Sequence, residues 1–99
     1  MKEKVYQLLK TVPRGRVTTY GRIAAALGNR NLARAVGNIL HRNPDPASIP
    51  CHRVVNGNGR VAENFAFGGA AAQRALLEQE GVAFLPSGRI DLEKYAAEL

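Results

Sequence analysis

Residues 18–41 read TTYGRIAAALGNRNLARAVGNILH, and this stretch decides the fold. The two threonines at its start offer an N-cap hydroxyl before Tyr20, and Gly28 ends the apolar pattern that follows, as glycines commonly do at helix C-termini. Beyond a short turn, apolar residues at helical spacing predict another helix from about Asn31 to His41. Its apolar stripe consists of Leu32, Val36, Ile39 and Leu40. Two short helices joined by a tight glycine turn predict a helix-turn-helix.

The second of these helices has a basic and polar outward face. At about 100° per residue, Arg34 falls opposite the apolar stripe. The same face carries Arg30, Gly37, Asn38 and His41. Gly37 costs about 1 kcal/mol of helix propensity, which either the approach of a ligand or packing against another helix would explain. We expect His41 to complement the helix dipole or to contact a phosphate, and we expect no metal site, because no His or Cys pair has zinc-ligand spacing.

The flanking sequence predicts one mainly helical domain. Val5, Leu8, Leu9 and Val12 predict a first helix over residues 2–11. Asn56-Gly57-Asn58-Gly59 predicts a hairpin between strands at 53–55 and 60–61, which could act as a wing. Further helices are expected at 70–80 and 92–99, with an irregular segment at 63–69. The predicted fold class is mainly α with a small β hairpin, a winged-helix-like DNA-binding domain containing a helix-turn-helix, in which residues 1–99 form a single domain.

Composition and charge narrow the class of function. The chain has 99 residues, 45% of them apolar, and a net charge of +6. Residues 1–60 carry eleven basic and two acidic side chains, whereas residues 61–99 carry three basic and six acidic ones. The first part is therefore either a surface for a polyanion such as nucleic acid or a solvated basic face. The longest apolar run, Ile23–Leu27, excludes a membrane span, and the N-terminal residues do not resemble a signal peptide, so we expect a cytoplasmic protein.

Cys51 is the single cysteine, in the sequence Pro50-Cys51-His52-Arg53-Val54. A lone cysteine is more often inert than nucleophilic. Here the neighbouring His52, the surrounding basic residues and the loop position favour a thiolate nucleophile. In an extended segment successive side chains point to opposite sides, so His52 would reach Cys51 through a water. The acids Glu78 and Glu80 are alternative candidates for orienting the imidazole.

These residues resemble the O6-alkylguanine-DNA alkyltransferases, which transfer alkyl groups from guanine irreversibly to their own cysteine. The resemblance is carried by residues 50–54 and by Gly15-Arg16-Val17-Thr18-Thr19-Tyr20-Gly21, Ala33-Arg34-Ala35-Val36-Gly37-Asn38, Arg42-Asn43-Pro44 and Leu76-Leu77-Glu78-Gln79-Glu80-Gly81. It covers essentially the whole chain and implies the family's C-terminal DNA-binding and catalytic domain, without the N-terminal domain of full-length members.

The resemblance implies a role for each catalytic residue. Cys51 would accept the alkyl group, and His52 would take the thiol proton through a water. Glu80 would hold the imidazole, and Asn43 would brace the turn before the proline loop. Tyr20 would help to rotate the nucleotide and would supply a proton toward the guanine ring, which would make guanine a better leaving group.

The resemblance also implies the DNA contacts and the base pocket. Arg34 would enter the minor groove and fill the gap left by the flipped nucleotide. The other implied DNA contacts are Thr19, Tyr20, Arg30, Gly37, Asn38 and Arg42. The pocket would be formed by Cys51, Val54, Phe65 and Phe67, and the main-chain carbonyls of Cys51 and Val54 would accept the exocyclic amine of the base. No cofactor is implied, and the partner would be double-stranded DNA containing O6-alkylguanine, bound by a monomer.

Two alternatives remain open. Residues 62–67 form a stretch about two residues longer than is usual in the alkyltransferases, so the donor to the guanine oxygen is not assigned. This stretch and the C-terminal sequence resemble the alkyltransferase-like proteins, which bind alkylated DNA without repairing it and recruit excision-repair proteins. A helix-turn-helix regulator with an incidental cysteine would instead read base edges in the major groove. Acting on DNA, the protein would be nucleoid-associated in a bacterium or archaeon and nuclear in a eukaryote.

Overall fold

The computed structural model describes residues 1–99 and is mostly helical. The α-helices are α1 (Lys2–Lys10), α2 (Tyr20–Ala26), α3 (Ala33–His41), α4 (Gly69–Gln79) and α5 (Leu92–Tyr95), and the strands are β1 (Thr18–Thr19) and β2 (Val54–Val55). Short 3-10 helices occupy Arg30–Leu32 and Cys51–Arg53. None of the helices is long and apolar enough to cross a membrane.

The predicted helix-turn-helix is formed by α2 and α3. The Thr19 hydroxyl accepts a hydrogen bond from the Arg22 amide at 3.1 Å, which makes Thr19 the N-cap of α2. Gly28 adopts a φ of +98° just after the helix end, a conformation in which glycine is favoured. The Asn29 side chain then caps the 3-10 helix that leads into α3. Both helices were therefore predicted correctly, with α3 beginning one short 3-10 turn later than expected.

The small sheet differs from the predicted hairpin. β2 pairs in parallel with β1, with Thr18 opposite Val54 and Thr19 opposite Val55. Residues 56–59 do form a turn, but 60–61 is not a return strand. The backbone bond from the Asn56 amide to the Arg60 carbonyl, at 2.9 Å, closes the turn without continuing into a ladder, and the Gly59 carbonyl accepts from the distant Ile90 amide at 2.8 Å. The prediction of a β hairpin is wrong, whereas the mainly α class with a small sheet is confirmed.

The predicted C-terminal helix is too long. α5 ends at Tyr95, and Ala96 is extended with φ −66° and ψ 132°. The Val17 amide donates to the Tyr95 carbonyl at 2.9 Å, and the Ala97 amide donates to the Val17 carbonyl at 2.8 Å. These bonds satisfy the backbone of Val17 just before β1, so the last residues extend the sheet instead of continuing a helix.

Two apolar clusters meet at β2. The first includes buried residues of α1, α2 and α3 together with Cys51 and Val54. The second includes Val17, Val55, Leu77, Val82 and Ile90. Because successive side chains of a strand point to opposite faces, Val54 and Val55 belong to different clusters. The cysteine turn directly before β2 is thus anchored to both halves of the domain.

Candidate active site

A cavity of about 550 Å³ opens between α3, the cysteine turn and residues 56–66. Its volume lies within the ordinary range for small-molecule sites. The predicted site residues on its wall are Tyr20, Arg34, Gly37, Asn38, Cys51 and Phe65. The wall also includes His41, Asn56 and Asn64, which sequence reasoning had not assigned to a pocket. The fold therefore brings residues from four separate sequence segments around one space.

Cys51 is a free thiol at the start of the 3-10 turn and is 6% exposed. Burial raises the pKa of the Cys51 thiol, while the Asn43 side chain and the backbone amides of Cys51 and His52 act in the opposite direction. The expectation that nearby basic residues favour the thiolate is wrong in this structure, because the closest of them along the chain, Arg53, is bound to Glu80. We also expected an extended segment at Cys51–His52, but these residues lie in the 3-10 turn Cys51–Arg53.

His52 and Arg53 converge on the carboxylate of Glu80. His52 Nε2 lies 2.9 Å from Glu80 Oε2, and Arg53 donates from Nε to Oε1 at 2.9 Å and from Nη2 to Oε2 at 2.8 Å. Burial alone would raise the pKa of Glu80, but the hydrogen bonds and charges of Arg53 and His52 outweigh it and hold the pKa at about 2. Of the two acids considered from sequence, the structure selects Glu80, and Glu78 instead pairs with Arg74.

The ionised Glu80 sets the proton position on His52. A carboxylate can only accept hydrogen bonds, so Nε2 of His52 carries the proton that it donates to Glu80. In a neutral imidazole the other nitrogen, Nδ1, is then an acceptor. In this tautomer Nδ1 of His52 is the nitrogen that can accept a proton.

Asn43 holds the segment that leads to Cys51. Its Nδ2 donates to the Ile49 carbonyl at 2.8 Å, and its Oδ1 accepts from the Asp45 amide at 2.9 Å. The residue is buried, so these bonds replace the water that its amide group would otherwise need. These bonds join Asn43 to the segment at residues 45–49, and its bracing role in a reaction stays a prediction.

Tyr20 and Gly37 lie side by side at the cavity. A Cβ added to Gly37 would lie 3.8 Å from two ring carbons of Tyr20, so the missing side chain gives the ring space. Of the two explanations for Gly37, packing is thus partly correct, although Gly37 also lines the cavity. Burial raises the pKa of the Tyr20 hydroxyl, and the charge of Cys51 adds to the effect, so the phenol retains its proton at neutral pH.

The predicted DNA-contacting residues divide by exposure. Arg34 and Asn38 are exposed on the cavity side of α3. Arg30, at the start of the 3-10 helix before α3, and Arg42, just after the end of α3, are also exposed. Thr19 is different, because it is buried and its hydroxyl caps α2. Thr19 therefore lies away from the exposed surface on which a DNA contact would be made.

Two predicted pocket residues do not line the cavity. Phe65 and Phe67 contact each other edge to face with ring centroids 5.8 Å apart, but only Phe65 reaches the cavity and Phe67 is 40% exposed. Val54 is fully buried in the first cluster. Its carbonyl accepts from Gln73 Nε2 at 2.7 Å, and the Cys51 carbonyl accepts from the Val54 amide. Each carbonyl keeps a second lone pair, so their role toward a base stays a prediction.

Two features of the site were not predicted from the sequence: the buried Gln73 and the hydrogen bonds that Arg53 donates to both oxygens of Glu80. Gln73 lies on α4, one helical turn before the buried Leu77, and that spacing places it on the buried face. A glutamine at a core position is a signal in itself, since buried polar groups need defined partners. The structure brings no group of three or more His, Cys, Asp or Glu side chains together as metal ligands.

The chain is similar in sequence and in structure to proteins that bind DNA. A family model described as 6-O-methylguanine DNA methyltransferase, DNA binding domain, matches residues 1–82. The DNA base-flipping protein of Escherichia coli K12 is 40% identical over 93 residues, which are 94% of this chain and 70% of that protein. The crystal structure of S. pombe Atl1, in complex with damaged DNA containing O6-carboxymethylguanine, has a TM-score of 0.84 and 31% identity, covering 99% of this chain and 94% of that one.

An alkyltransferase structure matches a smaller part of the chain. The O6-methylguanine-DNA methyltransferase from Pyrococcus kodakaraensis has a TM-score of 0.71 and 45% identity, covering 82% of this chain and 46% of that one. The chain thus spans about half the length of that protein. With the match of the family model over residues 1–82, these similarities show that the chain belongs to the O6-methylguanine-DNA methyltransferase family and carries its DNA-binding domain.

Proposed function

We propose that this protein is a DNA repair protein that flips O6-alkylguanine out of duplex DNA and transfers the alkyl group irreversibly to Cys51. The observation that carries the proposal is the position of Cys51 on the wall of a cavity of about 550 Å³, at the start of the same 3-10 turn that carries His52, the partner of Glu80. The E. coli relative's name, DNA base-flipping protein, and the methyltransferase names of other relatives support the two halves of the proposal.

The transfer step balances with these residues alone. A bond forms between Cys51 Sγ and the alkyl carbon as the bond from that carbon to the guanine oxygen breaks. The electron pair of the broken bond stays with guanine, which takes up one proton through the protonated Tyr20. The thiol proton passes through a water to Nδ1 of His52, whose Nε2–H is held by Glu80. The step leaves His52 as an imidazolium and Tyr20 as a tyrosinate, and transfer of one proton from the first to the second through solvent restores both. The net change moves the thiol proton to guanine, so no cofactor is required.

Base flipping is needed because the thiolate cannot approach the alkyl carbon in line while the guanine is stacked inside a duplex. The exposed Arg34 borders the cavity, where its side chain could fill the space that the base leaves. Arg30 and Arg42 would hold the phosphates of any sequence, which suits a protein that searches for damage. Residues 1–99 would act as one domain and as a monomer.

The test is mass spectrometry of the intact protein and its peptides after incubation with a duplex containing one O6-methylguanine. One methyl group mapped to Cys51 is the expected result. Cys51→Ala is the matched control, which should gain no methyl group but should still prefer the lesion duplex. Absence of the methyl adduct would contradict the proposed transfer, and equal binding of lesion and undamaged duplex would contradict lesion recognition as well.

A second candidate function is lesion recognition without transfer, followed by recruitment of excision-repair proteins. The similarity to S. pombe Atl1 over 99% of this chain favours it, as does the burial that raises the pKa of the thiol and so lowers the thiolate fraction. Preferential binding of the lesion duplex with Cys51 unmodified would identify this function. A sequence-specific regulator would instead prefer one undamaged sequence, which a binding selection from random duplexes would detect.

A further inference from the structure

The side chain of Gln73 joins two chain segments that line the cavity. It is fully buried on α4. Its Oε1 accepts from the Ala62 amide at 2.8 Å. Its Nε2 donates to the His52 carbonyl at 3.0 Å and to the Val54 carbonyl at 2.7 Å. Both amide hydrogens are thus used, and the chain that carries Cys51 is tied to the start of the loop beyond residue 61.

The orientation of this amide is fixed by its partners. If the oxygen and nitrogen exchanged places, the NH2 group would face the Ala62 N–H, and the oxygen would face two carbonyl oxygens. Such an arrangement would lose all three hydrogen bonds in a buried position. The side-chain amide of Gln73 therefore has a single orientation.

The two joined segments are walls of the cavity. The turn Cys51–Arg53 provides the thiol, and Ala62 begins the stretch that contributes Asn64 and Phe65 to the cavity wall. The two glycines before Gln73 have positive φ, at Gly68 and Gly69, so the loop joins α4 through a bend rather than a continuous helix. No other side chain hydrogen-bonds both the cysteine-bearing segment 51–54 and residues 62–66.

We propose that Gln73 is a positioning residue that fixes the separation between the cysteine turn and the 62–66 wall, and thereby sets the size of the alkyl group that the cavity accepts. This inference rests on the proposed binding of O6-alkylguanine. Without the amide, the wall that begins at Ala62 is released from the turn, and the cavity widens. A small adduct then loses its fit against the thiol, whereas a bulky adduct is affected less.

The experiment measures lesion binding and transfer for duplexes containing O6-methylguanine or O6-benzylguanine, using wild type and Gln73→Met. Met is close to Gln in size and shape but cannot make the three hydrogen bonds. The expected result is a loss of about tenfold for the methyl lesion and a smaller loss for the benzyl lesion, so that the benzyl-to-methyl ratio rises. Gln73→Asn, which is shorter by one methylene and withdraws the amide from its partners, serves as the second variant should the Met variant not fold.

Leu77→Ala is the control. Leu77 is fully buried one helical turn after Gln73 on α4, and its apolar side chain makes no hydrogen bond to the cysteine turn or to the 62–66 wall. The substitution should lower the melting temperature but leave the benzyl-to-methyl ratio unchanged when each variant is measured at the same interval below its own melting temperature. An unchanged ratio in Gln73→Met, or an equal change in Leu77→Ala, overturns the positioning role. The binding ratio tests this role even if wild type transfers no alkyl group, so its failure is distinguishable from failure of the proposed transfer.

Discussion

His52 Nε2 lies 2.9 Å from Glu80 Oε2, and the same carboxylate is held at both oxygens by Arg53. Glu80 therefore has two tasks: it fixes the tautomer of the imidazole and it ties the cysteine turn to the end of α4. Arg53 also donates to the Val12 carbonyl at 2.8 Å, so the interaction extends to the end of α1. The geometry of the candidate site and the stability of the fold are connected through one carboxylate.

This connection predicts a specific pH dependence. The pKa of Glu80 is lowered from 4.5 to about 2 in the folded protein, so its stabilising effect is complete above about pH 4.5 and is lost as the pH falls toward 2. We expect Glu80→Gln to melt below wild type at pH 7 and the two melting curves to converge as the pH approaches 2. Thermal denaturation followed by circular dichroism at several pH values measures this. A difference in melting temperature that stays constant with pH would contradict it.

Arg34→Ala should separate lesion recognition from chemistry. Because Arg34 is exposed beside the cavity, its removal should weaken binding to a lesion duplex by about tenfold or more while leaving transfer from free O6-benzylguanine nearly unchanged. Fluorescence anisotropy and a transfer assay with the free base give the two values. Arg89→Ala removes an equal charge in the acidic part of the chain and should alter neither. Equal losses in both assays would exclude the role of Arg34 in filling the duplex.

Gly59→Ala should be strongly destabilising, and Gly57→Ala should not. Gly59 has a φ of +84°, and an added Cβ would lie 2.5 Å from the Ile90 carbonyl oxygen. We expect a loss of roughly 2 kcal/mol or more, from left-handed strain and from disruption of the contact with residue 90. Gly57 has no atom within 4 Å of an added Cβ, so its variant should remain within about 0.5 kcal/mol of wild type. Urea denaturation compares the two, and similar losses would show that the Gly59–Ile90 contact is unimportant.

The neighbouring threonines of β1 should respond to valine substitution in opposite directions. Thr18 Oγ1 is buried without a hydrogen-bond partner, so Thr18→Val should raise the free energy of unfolding by about 1 kcal/mol. Thr19 Oγ1 caps α2, so Thr19→Val should lower it by about 1 kcal/mol. Chemical denaturation of the two variants measures both effects, and losses of the same sign and size would contradict the assignment of the cap.

The parts of the fold that depend on nearby residues could be predicted from sequence. The ends of α2 follow from the cap at Thr19 and the turn at Gly28, which are local interactions. The partner of β2 could not be predicted, because Asn-Gly favours a local hairpin while the observed pairing joins Val54 to the distant Thr18. The final helix was predicted to be too long for a similar reason, because the Ala97 amide donates a hydrogen bond to the distant Val17 carbonyl.

In the candidate site, too, residues in local motifs could be predicted, whereas contacts between distant segments could not. Cys51, Tyr20 and Arg34 could be assigned from motifs, and the cavity brings them together. The choice of Glu80 over Glu78 needed the resemblance, because spacing cannot show which acid faces His52. Gln73 gave no motif at all, since its importance lies in backbone groups that its side chain reaches only after folding.

The division of Val54 and Val55 between the two apolar clusters has a consequence for local opening of the domain. If either cluster opened alone, β2 would lose the packing of one of its two faces, through Val54 or through Val55. The amide hydrogens of β2 should therefore exchange with solvent only through global unfolding, at the slowest rate in the molecule. The cysteine turn, which enters this strand, would then share the protection of the most cooperative part of the protein.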